Sequence, residues 1–184
     1  MLYSDPIAPY CLAMDAAIAG QPAPALQKSE LQAQVVAALS RQLPPQALLW
    51  TDELTTPYEC DGLTAYRQRP LAVALPESYE QIQQVLKTCH SLGVPVVARG
   101  AGTGLSGGAM PHERGVTLSL AKFNRILEID PLARTAQVQC GVRNLAISEA
   151  AAAHGLYYAP DPSSQIACTI GGNVAENSGG VHCL

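Results

Sequence analysis

The chain is poor in aromatic and charged residues, and it has no long hydrophobic run. Its 184 residues include one Trp and one Phe, and only 14% of them are charged. No apolar stretch approaches the roughly 20 residues that a membrane-spanning helix needs. We therefore expect no membrane span, and the 48% of hydrophobic residues is typical of a globular domain.

Basic residues are scarce as well. The 11 Lys and Arg residues against 15 Asp and Glu give a net charge of −4, which argues against nucleic-acid binding. No Lys or Arg precedes Lys28, so a signal peptide of the usual kind is not expected. The six cysteines form no C-x-x-C pair and no cluster with metal-ligand spacing. We expect free thiols in a reducing cytoplasm and no metal site.

Glycine, by contrast, is concentrated at one place. The sequence from Arg99 to Gly108 is Arg-Gly-Ala-Gly-Thr-Gly-Leu-Ser-Gly-Gly, and the apolar run Val94–Ala98 leads into it. Glycine lets a ligand approach the backbone closely, and consecutive N–H groups in such a turn form an anion-binding concavity. The pattern predicts a loop that binds a phosphate or diphosphate. The hydroxyls of Thr103 and Ser106 and the charge of Arg99 could assist.

Two common phosphate-binding classes fit this loop less well. Gly102–Gly107 matches G-x-G-x-x-G, but a Rossmann turn opens a helix, and Gly107, Gly108 and Pro111 disfavour one here. A nucleotide-triphosphatase loop needs Gly-Lys-Ser/Thr, which is missing. Since Val116–Leu120 is typical of a strand, we expect the loop to join strand to strand.

The segment before the loop shows a β-α-β pattern. After a loose leader over residues 1–27, Ser29–Leu43 predicts a helix with a capping box between Ser29 and Gln32. Leu71–Leu75 and Val94–Ala98 are expected to be parallel strands. The helix between them begins after Ser78 and ends at Gly93.

The segment after the loop predicts short strands and one helix. The strand candidates are Val116–Leu120, Arg125–Asp130 and Ala136–Cys140. Asn144 is expected to cap the helix, and Gly155 to close it. Together the patterns indicate an α+β fold.

Three segments in this order resemble a known flavoprotein family. They are the glycine-rich loop, Pro160–Ser164 (Pro-Asp-Pro-Ser-Ser) and Ile170–Asn177 (Ile-Gly-Gly-Asn-Val-Ala-Glu-Asn). The set is similar to the FAD-binding domain of the vanillyl-alcohol-oxidase/p-cresol-methylhydroxylase (PCMH) type. Within that type it most resembles the glycolate-oxidase branch of FAD-linked 2-hydroxy-acid oxidases and dehydrogenases. The resemblance covers about residues 44–184.

The resemblance implies a domain organisation. A βαβ subdomain is followed by a subdomain with a mixed or antiparallel sheet, and the second subdomain is incomplete. Residues 1–43 are expected to be a leader and helix, and residues 44–184 the N-terminal part of the FAD-binding domain. The C-terminal strands of that domain and a separate cap domain are expected to be missing, so the chain is expected to be truncated.

The resemblance also implies which residues contact FAD. Residues 160–164 and 170–180 would line the isoalloxazine, ribityl and diphosphate portions, and Thr169 offers a further hydroxyl. Many relatives bond the flavin to a histidine of the loop, where Thr103 stands here, so we expect noncovalent FAD. The expected cofactor-binding residues are Arg99, Gly100, Ala101, Gly102, Thr103, Gly104, Leu105, Ser106, Gly107, Pro160, Asp161, Pro162, Ser163, Ser164, Gly171, Gly172, Asn173, Glu176, Asn177, Ser178 and Gly180.

The function implied by the resemblance is oxidation of a 2-hydroxy acid, such as glycolate or D-lactate, to the 2-oxo acid. The substrate would bind through the missing cap domain, and electrons would pass to other oxidase subunits or another acceptor. No residue present can be named as catalytic. A cytoplasmic location is expected, with which peripheral membrane association of a full complex is compatible. Two alternatives stay open: a catalytically silent truncated fragment and a standalone nucleotide-binding module.

Overall fold

The computed structural model describes residues 26–183, so residues 1–25 of the expected leader lie outside the described residues. The helices of the described part are α1 (Lys28–Leu39), α2 (Asp52–Thr55), α3 (Tyr79–Ser91), α4 (Asn144–Ala151) and α5 (Ile170–Glu176). Its strands are β1 (Leu48–Leu49), β2 (Ala72–Ala74), β3 (Val96–Arg99), β4 (Val116–Ser119), β5 (Ile126–Asp130) and β6 (Thr135–Val138). None of these helices is long and apolar enough to cross a bilayer.

The main sheet contains four strands in the order β1-β2-β4-β3. β2 and β3 both run parallel to β4, with Ala72 and Val96 each paired to Val116. The predicted parallel direction of β2 and β3 is thus confirmed, but β4 lies between them. The reason is burial. All four residues of β4 are buried, as is typical of a central strand that is covered on both faces, whereas Ala98 of β3 is exposed at the edge of the sheet.

Helices α1 and α3 pack against one face of this sheet. In β2 and β4 every second residue points to this face, as the period of a strand requires. On α1 the inward residues Leu31, Val35 and Leu39 recur at the predicted helical spacing. The buried core consists of Leu31, Val35, Leu39, Leu43, Ala47, Leu48, Leu71, Ala72, Ala74, Val85, Cys89, Val94, Val116 and Leu118.

Helix α1 differs at both ends from the prediction. It begins one residue earlier, because the N–H of Gln27 donates to Glu30 Oε2 at 3.2 Å and this pair forms the capping box. The predicted partner Gln32 instead donates from its side chain to the carbonyl oxygens of Trp50 and Leu71, at 3.1 and 2.8 Å. The helix ends at Leu39, and residues 40–42 form a turn before the two prolines.

Helix α3 has both predicted ends. The hydroxyl of Ser78 accepts a hydrogen bond from the N–H of Gln81 at 3.3 Å, which satisfies one of the free donors of the first turn. Gly93 follows the last turn with a φ of 63°, the left-handed conformation that commonly ends helices. These two residues fix the length of the β2–β3 connection and bring β3 to the sheet in register.

The second part of the chain contains the antiparallel β5–β6 hairpin, then α4 and α5. Asp130 Oδ1 accepts hydrogen bonds from the N–H groups of Leu132 and Ala133, both at 2.9 Å, and so shapes the hairpin turn. The prediction that Asn144 caps α4 is wrong: Arg143 occupies that position, and the Asn144 side chain is buried. The α+β fold is confirmed, with β4 assigned to the first sheet.

Candidate functional site

The glycine-rich loop (residues 100–108) leaves β3 and leads to β4. Gly102 and Gly107 have positive φ angles of 72° and 82°, which glycine adopts without strain. Between the loop and Val116 the chain passes through turns and contains no helix. The loop therefore joins strand to strand, as predicted, and is not a Rossmann turn.

The backbone of this loop is open to a ligand. In the described part of the chain, the N–H groups of residues 101–106 donate to no protein atom. The N–H of Gly107, in contrast, donates to Asp61 Oδ2 at 2.9 Å. Because successive unpaired N–H groups in a turn attract anions, the geometry agrees with the predicted phosphate or diphosphate loop.

Arg99 lies beneath the loop. Its Nη1 donates to the carbonyl oxygens of Cys60 at 2.7 Å and Ala109 at 3.4 Å, and its Cζ is 5.6 Å from the centre of the Tyr58 ring. Only 9% of the residue is exposed, and no ion pair among residues 26–183 involves it. An unpaired, buried cation raises the electrostatic potential at the loop, which favours an anionic ligand.

Thr169, at the start of α5, faces the loop from the other side. The residue is 6% exposed, and within the described chain its Oγ1 has no hydrogen-bond partner. A Cβ on Gly100 would overlap this oxygen, so the missing side chain of Gly100 permits the close approach. A buried hydroxyl without a partner costs about 1–3 kcal/mol, and a polar ligand group in the cleft would satisfy it.

Asn144 holds the second segment (residues 160–178) in place. Its side chain is fully buried. Nδ2 donates to the Pro160 carbonyl oxygen at 2.9 Å, and Oδ1 accepts from Asn173 Nδ2 at 2.8 Å. One side chain of α4 therefore links the Pro160 turn to α5.

The loop and the second segment enclose a cleft of about 400 Å³, within the range of roughly 300–1,000 Å³ of small-molecule sites. The cleft is lined by Ala98, Gly100, Ala101, Gly102, Thr103, Gly104, Leu105, Ser106, Gly108, Ala109, Pro162, Ser163, Ser164, Cys168, Thr169, Gly172, Asn173, Ala175, Glu176 and Ser178. Gly100, Ala101 and Thr169 also border a second cavity of about 430 Å³. The two cavities thus share a wall of small residues.

Most of the expected cofactor-binding residues line this cleft, so the structure brings the two sequence motifs together. These residues are Gly100, Ala101, Gly102, Thr103, Gly104, Leu105, Ser106, Pro162, Ser163, Ser164, Gly172, Asn173, Glu176 and Ser178. The remaining ones, Arg99, Gly107, Pro160, Asp161, Gly171, Asn177 and Gly180, do not line it. The contacts of these seven residues are with other parts of the protein.

Asp161 illustrates this second group. Its Oδ1 accepts from the N–H of His182 at 3.1 Å, and its Oδ2 lies 2.7 Å from His182 Nδ1. The backbone hydrogen bond from His182, followed by the side-chain one, lowers the pKa of Asp161. Gly180 packs against Asp161 with a φ of 129°, and a Cβ there would overlap the Asp161 backbone. This contact ties the end of the described chain to the Pro160 turn.

Gly171 and Asn177 also have structural roles within the protein. The N–H of Gly171 donates to the Cys140 carbonyl oxygen at 2.8 Å, and a Cβ on Gly171 would lie 2.8 Å from Cys140 Cβ. Asn177 ends α5 with a φ of 53°.

Sequence reasoning missed Asp61, Gly62 and Asn144 as parts of the site. Asn144 was predicted only as a helix cap, and no binding role was predicted for Asp61 or Gly62. Their contacts with the loop and with α5 are long-range, and nothing in the local pattern predicts them.

The cleft contains few groups that could transfer a proton. Among the described lining residues, Glu176 and Cys168 are the titratable ones. A Cβ on Gly108 would overlap Glu176 Oε1, so this carboxylate lies against the loop. Within residues 26–183 no cluster of three or more His, Cys, Asp or Glu residues could hold a metal ion.

The α+β fold and the anion-binding cleft define a nucleotide-cofactor-binding domain. Residues 70–184 match the family described as FAD binding domain, and the chain belongs to that family. FAD is accordingly the cofactor of this domain. The residues present fit it, because unpaired loop N–H groups and an unsatisfied hydroxyl border one cleft, and a buried cation lies beneath the loop.

Curated relatives and a solved structure agree with this assignment. The chain is 65% identical over 150 residues to glycolate oxidase subunit GlcD of Escherichia coli strain K12, which covers 82% of this chain and 30% of that protein. It is 36% identical over 145 residues to a D-lactate dehydrogenase of Anaerostipes hadrus, covering 78% and 30%. The crystal structure of p-cresol methylhydroxylase superposes with a TM-score of 0.61 at 26% identity, covering 69% of this chain and 25% of the other. The chain thus spans about 30% of the length of these curated relatives.

Proposed function

We propose that this chain is the FAD-binding portion of a flavin-dependent oxidoreductase that oxidises a 2-hydroxy acid, such as glycolate or D-lactate, to the 2-oxo acid. The observation that carries the proposal is the cleft, where unpaired loop N–H groups face the unsatisfied Thr169 hydroxyl. The choice of substrate class rests on the relatives, one named for glycolate and one for D-lactate.

In this proposal the loop holds the diphosphate of FAD. The N–H groups of residues 101–106 donate to the phosphate oxygens, and each such charge-assisted bond contributes about 1.5–3 kcal/mol. Ser163, Ser164 and Thr169 offer hydroxyls to the neutral polar portions of the cofactor. In this proposal the dinucleotide extends across both cavities, which adjoin at Gly100, Ala101 and Thr169. No histidine of the described chain lines the cleft, which supports noncovalent attachment.

When bound, FAD supplies the acceptor for the two electrons of the substrate α-carbon. The residues of this chain bind and orient the cofactor, and their contacts exclude water from its diphosphate. We assign no catalytic base here, because the titratable residues of the described cleft are a carboxylate against the phosphate loop and a buried thiol.

The remaining parts of the proposal concern the whole protein. We place residues 44–184 in the N-terminal part of the FAD-binding domain, with the substrate held by a cap domain beyond this stretch. The Escherichia coli relative is by its name a subunit, which supports electron transfer to further subunits or another acceptor. A cytoplasmic site of action is supported by the free thiols of Cys60, Cys89, Cys140, Cys168 and Cys183.

A second candidate is flavin binding without turnover by this chain alone, and the absence of an assignable base among the described cleft residues favours it. One experiment addresses both candidates. The chain is purified, saturated with FAD and tested for retained flavin by its visible absorbance. It is then mixed with glycolate or D-lactate and an artificial electron acceptor, beside a chain extended to the length of the relatives.

We expect the 184-residue chain to retain FAD and to oxidise neither acid, and the extended chain to oxidise at least one. A chain that folds but retains no flavin would contradict the proposed cofactor role. Turnover by the 184-residue chain would contradict the assignment of the catalytic groups to the rest of the protein. An extended chain that retains FAD but acts on neither acid would contradict the proposed substrate class.

A further inference from the structure

Residues 60–62 (Cys60-Asp61-Gly62, the 60–62 segment) lie against the glycine-rich loop. The segment precedes β2 and is distant in sequence from the loop, yet it makes hydrogen bonds to two of the loop's backbone groups and to Arg99 beneath it. Neither the proposed cofactor contacts nor the cleft lining includes these residues. Their contacts therefore need a separate explanation.

The first contact is made by the carboxylate of Asp61. The residue is 4% exposed. Its Oδ2 accepts from the N–H of Gly107 at 2.9 Å, and its Oδ1 accepts from the N–H of Leu63 at 2.9 Å. Both oxygens thus have backbone donors, and one carboxylate connects the end of the loop to its own segment. Burying a carboxylate is costly unless such bonds are made.

The second contact determines which way the loop amides point. The N–H of Gly62 donates to the Gly104 carbonyl oxygen at 2.9 Å. A trans peptide is planar, so its C=O and N–H point in opposite directions. Because the Gly104 carbonyl points towards Gly62, the N–H of Leu105 in the same peptide unit points away from the 60–62 segment, and Leu105 lines the cleft.

The fit at Gly62 is close. A Cβ there would lie 2.7 Å from the Thr103 carbonyl oxygen and 2.9 Å from that of Gly104. Any side chain would push these two peptide units towards the cleft. The carbonyl of Cys60 meanwhile accepts from Arg99 Nη1 at 2.7 Å, so the same three residues also hold the buried cation in place.

We propose that the 60–62 segment sets the conformation of the diphosphate loop, with Asp61 as its positioning residue. The segment orients the loop amides before the cofactor arrives, which reduces the cost of ordering them on binding. This inference rests on the proposed function. It concerns the diphosphate in particular, because the contacts are confined to the loop that would hold it.

The test uses Asp61→Ala, Asp61→Asn and Gly62→Ala in the purified chain. Asp52→Asn is the matched control, since its carboxylate is exposed and pairs with Arg69 at 2.8 Å, away from the loop. Two quantities are measured for each protein. The first is hydrogen exchange of the Gly107 amide by NMR without any flavin, and the second is the Kd for FAD and for inorganic pyrophosphate.

We expect Asp61→Ala to speed exchange of the Gly107 amide and to raise both dissociation constants about tenfold. Asp61→Asn should fall between this variant and the wild type, because one acceptor oxygen remains. Gly62→Ala should weaken the binding of both FAD and pyrophosphate, while the Gly107 amide stays protected from hydrogen exchange. The Asp52→Asn control should match the wild type in both measurements. If Asp61→Ala does not fold, the other two variants decide.

Three results would overturn the inference. Unchanged Gly107 exchange in both Asp61 variants would show that the contact is not formed. Faster exchange with unchanged FAD and pyrophosphate affinity would show that the contact does not position the loop. A wild-type chain that binds neither FAD nor pyrophosphate would show that the loop is not a diphosphate-binding site. A chain that binds pyrophosphate but not FAD would refute the proposed function and leave the positioning role supported.

Discussion

The two halves of the cleft present different chemistry to a ligand. The glycine-rich loop offers backbone N–H groups and is held from beneath by Asp61, Gly62 and Arg99. The second segment offers side-chain hydroxyls and is held from within by Asn144. Backbone donors in a row suit a phosphate of any source, whereas hydroxyls donate and accept and suit neutral polar groups.

This difference predicts how substitutions in the two halves divide between ligand affinity and protein stability. Because the loop uses backbone groups and a buried cation, its contribution depends on conformation and on the absence of side chains. The second segment depends on a few buried side chains, so its substitutions affect the free energy of unfolding as well as binding. Changes in the loop should therefore reduce binding at constant stability more often than changes in the second segment.

The largest expected effect on binding comes from Gly104→Val. A Cβ at Gly104 is 3.7 Å from Glu176 Oε1 and 3.9 Å from Glu176 Cδ, which are ordinary van der Waals contacts, so the new side chain occupies the cleft instead of displacing protein. We expect the Kd for FAD to rise about 100-fold, the equivalent of about 2.7 kcal/mol, with an unchanged melting temperature. Titration of flavin fluorescence and thermal unfolding measure the two quantities.

Gly102→Val provides the contrast within the same loop. Gly102 has a φ of 72°, and a Cβ there would overlap the Arg99 guanidinium, so this variant should lose both FAD binding and stability. Full retention of FAD by a folded Gly104→Val protein would contradict the cleft as the cofactor site.

Among substitutions that affect the second segment, Asn144→Ala should have the largest effect. It leaves the Pro160 carbonyl and the Asn173 side chain without their partner in a buried place. We expect a loss of about 3 kcal/mol in the free energy of unfolding, measured by denaturant titration. Asn124→Ala, an exposed loop position, is the control and should change stability by less than about 0.5 kcal/mol. Equal stability of the two variants would show that Asn144 does not hold the segment.

Two buried threonines allow the next test. Thr169 and Thr117 both have a hydroxyl without a hydrogen-bond partner in the described chain, but only Thr169 lines the cleft. Thr169→Val should raise the Kd for FAD about tenfold, whereas Thr117→Val should leave it unchanged. Both should stabilise the flavin-free protein by about 1 kcal/mol, because each removes an unsatisfied buried group. Tighter FAD binding by Thr169→Val would mean that the ligand leaves this hydroxyl unused.

The sequence predicted well the features that local pattern determines. The helix α3 between Ser78 and Gly93, the parallel direction of β2 and β3 and the strand-to-strand loop all follow from caps, periodicity and glycine spacing. The position of β4 between β2 and β3 does not, because it depends on which strand is covered on both faces in the packed fold. Asn144 was predicted to be a cap because its hydrogen bonds to two distant segments also arise only in the packed fold.

The site was predictable to a similar extent. The two motifs could be assigned to one cleft from their resemblance to a family, but the direction of each side chain could not. Asp161 and Gly171 lie in the motifs and contact protein, whereas Asp61 lies outside them and contacts the loop. Contacts between residues far apart in sequence depend on the packed fold, which no window of the sequence contains.

The smallest expected effect concerns the acid dependence of the contact between Asp161 and His182. Hydrogen bonds from His182 lower the pKa of Asp161 below its ordinary value, which is about 3.9 in an unfolded chain. A carboxyl group whose pKa is lower in the folded state stabilises that state above its unfolded pKa, and this contribution is lost as the pH falls through the folded value. The contact should therefore persist from neutral pH down to about pH 4 and disappear below it. An NMR titration of the His182 amide shift measures this, and Asp161→Asn should abolish the acidic step. An acidic step that is retained in Asp161→Asn would show that another group controls the contact.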